Sequence, residues 1–160
     1  MSITETDRPF LIRAVELARQ GLEAGDEPFG SVLVSPAGEV LFEDHNHVGG
    51  GDALRHPEYA IAEWAIENIP ADQRGAHTVY TSGEHCPMCA AAHGWAGLGR
   101  IVYASSSIEL ARWRAEFNLR PGPVASLPIP LVIPNVQVDG PDPELSGEVR
   151  ELHRRFHGAQ

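Results

Sequence analysis

Two short stretches hold the residue types best suited to chemistry: His56-Pro57-Glu58 and Glu84-His85-Cys86-Pro87-Met88-Cys89. Each follows loop-like sequence and opens a helical pattern, which predicts one imidazole and two thiols at the starts of two helices. Helix N-termini suit thiolates, because the free N–H groups and the helix dipole favour negative charge and lower a cysteine's pKa. Two thiolates and one imidazole make three zinc ligands, and an open fourth position is what separates catalytic zinc from structural zinc. Water taken up at such a position has its pKa lowered to about 7, and Glu58, just past the histidine, is placed to move its proton.

The same residues admit other readings. C-x-x-C also serves disulfide exchange, and a structural zinc could be closed by a second histidine, for which His85 and His93 are the candidates. A structural site has no use for the carboxylate at Glu58, which alone would be a favourable charge near a helix dipole. Taken with His56, Cys86 and Cys89, it reads as a general acid/base. His45, His47, His77, His153 and His157 lie in segments where surface or hydrogen-bonding roles are commoner than catalysis, and none is assigned a role. Asn46 carries an amide able to donate and accept toward a heterocycle, although a turn-forming asparagine fits the local sequence equally well. Phe29, Trp95, Trp113 and Phe117 are by default core aromatics, one or two of which could wall a flat-ring pocket.

The elements that must position these residues follow from periodicity. Leu11, Ala14, Val15, Ala18 and Leu22 recur at helical spacing after Pro9, with Asp7 as the cap. Phe29 to Val34 reads as a buried strand, and Val40 to about Asn46 as its hairpin partner. Gly49, Gly50 and Gly51 form a loop leading to His56, and a largely apolar helix then runs to Pro70. His77 to Ser82 and Arg100 to Ala104 have strand composition, and Ile108 to Phe117 returns to helical spacing. Pro121 to Pro134 suggests an extended segment or edge strand, and Glu144 to Phe156 a charged terminal helix. The alternation argues for an α/β layered domain containing parallel strands.

At 160 residues, with 42% hydrophobic and 21% charged residues, the chain is expected to be one globular domain, 1–160, whose segment 140–160 is a C-terminal helix capping the site or a partner subunit. No apolar run approaches the ~20 residues of a membrane span, and the first residues lack the basic and apolar segments of a secretory signal, so a cytoplasmic location is expected. A formal charge of −10 opposes attraction to phosphate backbones, which makes a nucleic-acid substrate the weaker expectation.

His56-Pro57-Glu58 with Cys86-Pro87-Met88-Cys89 resembles the zinc signature of the cytidine deaminase superfamily, H-x-E followed by P-C-x-x-C. Together with Pro28-Phe29-Gly30-Ser31-Val32-Leu33-Val34 and Asn46, it is most similar to the guanine deaminase and tRNA adenosine deaminase branch, over roughly Phe10 to Ala111. The resemblance implies a three-layer α/β/α sandwich with a central mixed sheet of about five strands, hydrolytic deamination with Zn²⁺, and a homodimer. Carried over by residue, His56, Cys86 and Cys89 would bind zinc and Glu58 would shuttle protons. Asn46 matches the substrate-reading asparagine, Phe29 a ring-stacking position and Trp95 a pocket tryptophan of guanine deaminases. Glu109 falls where those enzymes carry an aspartate that assists proton transfer at the leaving amine.

Two positions depart from the pattern. Pro57 replaces an alanine or glycine whose N–H meets the substrate's ring carbonyl, and His85 replaces a proline. The expected substrate is a small heterocyclic amine of the guanine, cytosine or aminotriazine kind. The alternatives are a tRNA adenosine deaminase, for which only Arg150, Arg154 and Arg155 offer a basic terminal face, and a non-catalytic zinc-binding interaction module.

Overall fold

A computed structural model of the chain describes residues 2–158. Helix α1 (Arg8–Glu23) turns Leu11, Ala14, Val15 and Ala18 inward, as their spacing predicts. Strands β1 (Gly30–Val34) and β2 (Val40–His45) form the hairpin. Helix α2 (Pro57–Asn68), strand β3 (Thr78–Gly83), helix α3 (Pro87–Ala96), strand β4 (Ile101–Ser105) and helix α4 (Ser107–Glu116) follow. Strand β5 (Val138–Asp139) and helix α5 (Pro143–Phe156) complete the chain.

The sheet is five-stranded and mixed, in the order β2-β1-β3-β4-β5. β1 runs antiparallel to both β2 and β3, while β3, β4 and β5 run parallel. Side chains alternate across it. Val32, Val34, Tyr80, Val102 and Ala104 pack with α1, Trp113 of α4 and α5, whereas Leu33 and Val79 pack with α2 and Ala96 of α3. Three layers result. Gly30 lies under α1 so closely that a Cβ would stand 2.4 Å from the Ala14 carbonyl oxygen, so this crossing requires glycine. Among the described residues, no helix is long and apolar enough to cross a membrane.

Two local expectations change. Pro121 to Pro134 is not a strand: it is irregular apart from a single 3₁₀ turn, Ile129–Leu131, whose Ile129 is buried against Ala90 and Ile101. Proline supplies no ladder donor, and the edge strand forms only beyond the last of these prolines, at Val138–Asp139. Asp7 stands at the α1 N-cap, but its side chain does not cap the helix. Its carboxylate instead accepts from Arg100 at 2.6 and 3.0 Å and from the Tyr80 hydroxyl at 2.8 Å. Arg100 also donates to Asp139 on β5, so one guanidinium ties the start of α1 to the sheet edge.

Candidate active site

The α2 and α3 N-termini meet beside the sheet. His56 is the α2 N-cap in extended conformation with Pro57 in the first turn, while Cys86 is the α3 N-cap, with Pro87 following and Cys89 one turn on. Proline suits these positions because the missing N–H has no helical partner there anyway. His56 Nδ1 lies 3.7 Å from Cys86 Sγ and 3.5 Å from Cys89 Sγ, and the three donor atoms all lie within 4.8 Å of one another. Tetrahedral zinc with ordinary Zn–N and Zn–S bonds separates such donors by about 3.6 Å, so this trio fits the ion with little adjustment.

The electrostatics suit a cation. Without metal the two thiols share a proton: the Cys89 hydrogen bond and His56 hold Cys86 down to about 4 against burial, while Cys89 is driven up by Cys86 and by burial. Zinc requires both as thiolates, so loading releases protons. Glu58 is 5% exposed, and its Oε1 lies 3.0 Å from both Ser31 Oγ and Thr81 Oγ1. Burial raises its pKa, and its carboxyl reaches Cys89. It is thus a desolvated carboxyl beside the donor trio, held by hydroxyls of β1 and β3.

A cavity of about 170 Å³ opens beside His56 and Cys86, walled by Phe29, Glu84, Leu127 and His153 among others. Asn46 is fully buried at the end of β2: its N–H donates to the Phe29 carbonyl, its Oδ1 accepts from Val48, and its Nδ2 has no partner among the described residues. Asn46, Pro57 and Glu58 are not among the residues that line the cavity, although Pro57 and Glu58 directly follow His56, which does.

The structure does not bring Glu109 and Trp95 to the cavity. Glu109 closes a capping box on α4: its Oε2 accepts from the Ser106 N–H and hydroxyl, and its Oε1 from Ser146 of α5. Trp95 is 90% exposed beside Tyr59 and Met88 on the outer surface of α2 and α3, because the last turn of α3 carries it away from the sheet.

Other residues reach the cavity unannounced. Glu84 lines it while accepting from the N–H groups of Ser107 and Ile129. His153 and His157 approach from α5. His153 is 3% exposed, its ring meets Phe29 edge-on at 4.9 Å, and burial pushes it down to about 3, so it is neutral. A signal existed, since Leu145, Val149, His153 and His157 form one i, i+4 row.

Residues 4–105 match the cytidine and deoxycytidylate deaminase zinc-binding region, and the chain belongs to this family. It is similar to a guanine deaminase of Bacillus subtilis, 38% identical over 64% of this chain and 66% of that one. It also matches a probable cytosine deaminase of Schizosaccharomyces pombe, 30% identical over 69% of this chain and 67% of that protein. A tRNA-specific adenosine deaminase of Haemophilus influenzae is 28% identical over 72% of this chain and 67% of its own. The matches therefore span about two thirds of these relatives' lengths. Among solved structures, a guanine deaminase from Nitrosomonas europaea shares the fold, with a TM-score of 0.71 at 17% identity over 99% of this chain and 88% of that one.

Proposed function

We propose that this chain deaminates a free, amino-substituted nitrogen heterocycle by hydrolysis. The observation that carries the reading is the small cavity beside the His56, Cys86 and Cys89 trio. At about 170 Å³ it is below the ~300–1,000 Å³ of pockets for drug-sized ligands, and α5 together with the Leu127 segment walls it in. That size suits one ring better than a nucleotide within a folded RNA, and the −10 charge points the same way.

The three donors would hold zinc, which when bound would supply Lewis acidity toward water and so make it a nucleophile for the ring carbon bearing the amine. Glu58 takes a proton from the attacking water and returns it to the leaving ammonia; its burial-raised pKa suits it to both transfers. Phe29, which lines the cavity, packs on the ring, and Asn46, whose Nδ2 has no partner among the described residues, is the amide that would read an acceptor on the substrate once the wall between it and the cavity opens. The same proposal includes a homodimer, in which a second copy covers the exposed apolar surface at Trp95 and Ile66, and a reducing cytoplasm in which both thiols persist.

Pro57 bears on which ring is accepted. It contributes no N–H at the start of α2, so a carbonyl facing it would lose a hydrogen bond worth about 1–3 kcal/mol in a closed site. The expected substrate is therefore a related ring, such as an aminotriazine or an altered purine or pyrimidine. Ammonia release from a panel of free bases is the test, run on wild type and Pro57→Ala. The variant should gain on guanine or cytosine relative to the native substrate by roughly 10-fold, the equivalent of about 1.4 kcal/mol. Inosine formation in tRNA, with no activity on any free base, would refute the substrate class. An unchanged ranking of bases would refute the role of Pro57 alone.

A further inference from the structure

We infer that the chain carries a second site for a divalent transition cation of the zinc kind, formed by Asp26, His45 and His47 and sharing no residue with the His56 trio. One ligand atom from each of the three lies within 4.8 Å of the other two. They come from separate parts of the fold: Asp26 from the loop after α1, His45 from the last position of β2 and His47 from just beyond it.

The hydrogen bonds around the two rings decide their tautomers. His45 Nδ1 lies 2.7 Å from the carbonyl oxygen of Asn46, which can only accept, so this nitrogen carries the proton and Nε2 keeps its lone pair. His47 Nε2 lies 2.7 Å from Asp44 Oδ1, also an acceptor, so in the neutral ring Nδ1 is the nitrogen that keeps its lone pair. Histidines that ligate metals are oriented in just this way, with the second ring N–H given to a carbonyl or carboxylate. The third donor is similarly held. Asp26 is 8% exposed, and its Oδ1 accepts from the Gly49 N–H at 2.7 Å, which holds the carboxylate and leaves Oδ2 as its second donor oxygen.

The two rings lie side by side, with centroids 4.3 Å apart, and His45 is next to Gly21 of α1. Two imidazoles and one carboxylate favour zinc, nickel or copper over magnesium or calcium, which prefer all-oxygen sites. Water completes the coordination, since the His47 side chain is 51% exposed. Asn46 stands between the two histidines, so an ion here restrains the strand end that carries it.

Titration of zinc-loaded protein with Co²⁺ tests the site. A second equivalent should bind and give visible ligand-field bands without new thiolate charge transfer, which distinguishes it from exchange into the cysteine site. His47→Ala and Asp26→Asn should keep the first equivalent and lose the second. Asp44→Ala should weaken the second by about 10–100-fold, as removal of an orienting partner does. Saturation of wild type at one equivalent would overturn the inference, as would a second equivalent bound unchanged by both His47→Ala and Asp26→Asn. Because wild-type stoichiometry and band type decide the matter, misfolding of a variant does not protect it. Loss of the first equivalent alone would count against the catalytic assignment and leave this site standing.

Discussion

Glu58→Gln is expected to lower hydrolytic turnover by at least ~10²-fold while leaving the zinc at His56, Cys86 and Cys89 bound. The substitution keeps size and hydrogen-bonding capacity toward Ser31 and Thr81 but removes the group that accepts and returns a proton. A purely structural Glu58 behaves differently. Glutamine would then be tolerated, because an amide oxygen still accepts from both hydroxyls and no charge need be buried. Metal content by mass spectrometry and ammonia release on the same sample separate the cases. Near-wild-type turnover in Glu58→Gln would remove it from the chemistry.

Arg100→Ala is expected to destabilise the fold by about 3–5 kcal/mol at neutral pH, the cost of stripping one partner from a buried ionic cluster. Asp7 and Asp139 are each 3% exposed, and both accept from this guanidinium. Burial pushes the Asp7 carboxyl up, but Arg100, Thr4 and Tyr80 outweigh it and hold the group below the ordinary carboxylate range; Arg100 does the same for Asp139. For a depressed carboxyl, the stabilisation is present above the unfolded-state pKa of about 4 and is lost as pH falls toward the folded value. Wild type should therefore lose stability steeply below about pH 4, and Arg100→Ala, already lacking the interaction, should show a shallower acid slope. Urea unfolding across this range is the check. A variant within 1 kcal/mol of wild type at pH 7 would show that the cluster does not hold α1 to the sheet edge.

What could be read in advance divides by physical cause. The zinc trio was legible because the chain has only two cysteines and their spacing to His56-Pro57-Glu58 matches helix starts that the flanking loops announce. Helices α1 and α2 were legible because apolar spacing is a local property. Ser106-Ser107-Ile108-Glu109 is itself a capping-box pattern, a local signal for the hydrogen bonds that Glu109 makes, whereas its distance from the cavity depends on how α4 packs. Trp95 depended on how far α3 turns before Gly97 ends it in a left-handed conformation at φ 75°, which no window of sequence shows. Strand β5 is two residues long, too short for periodicity, and forms only because β4 offers a free edge. The arrival of His153 at the cavity depends on α5 folding back over α1 and β4, a long-range packing choice.

The most direct test of zinc-dependent deamination at this site is a single series of ammonia-release measurements on the best free base. It is run on protein as purified, after removal of metal by a chelator, and after zinc is restored. Activity should vanish with the metal and return with one equivalent of zinc, and Cys86→Ala should neither hold that equivalent nor regain activity. Full turnover in metal-free protein, or in Cys86→Ala, would contradict the account.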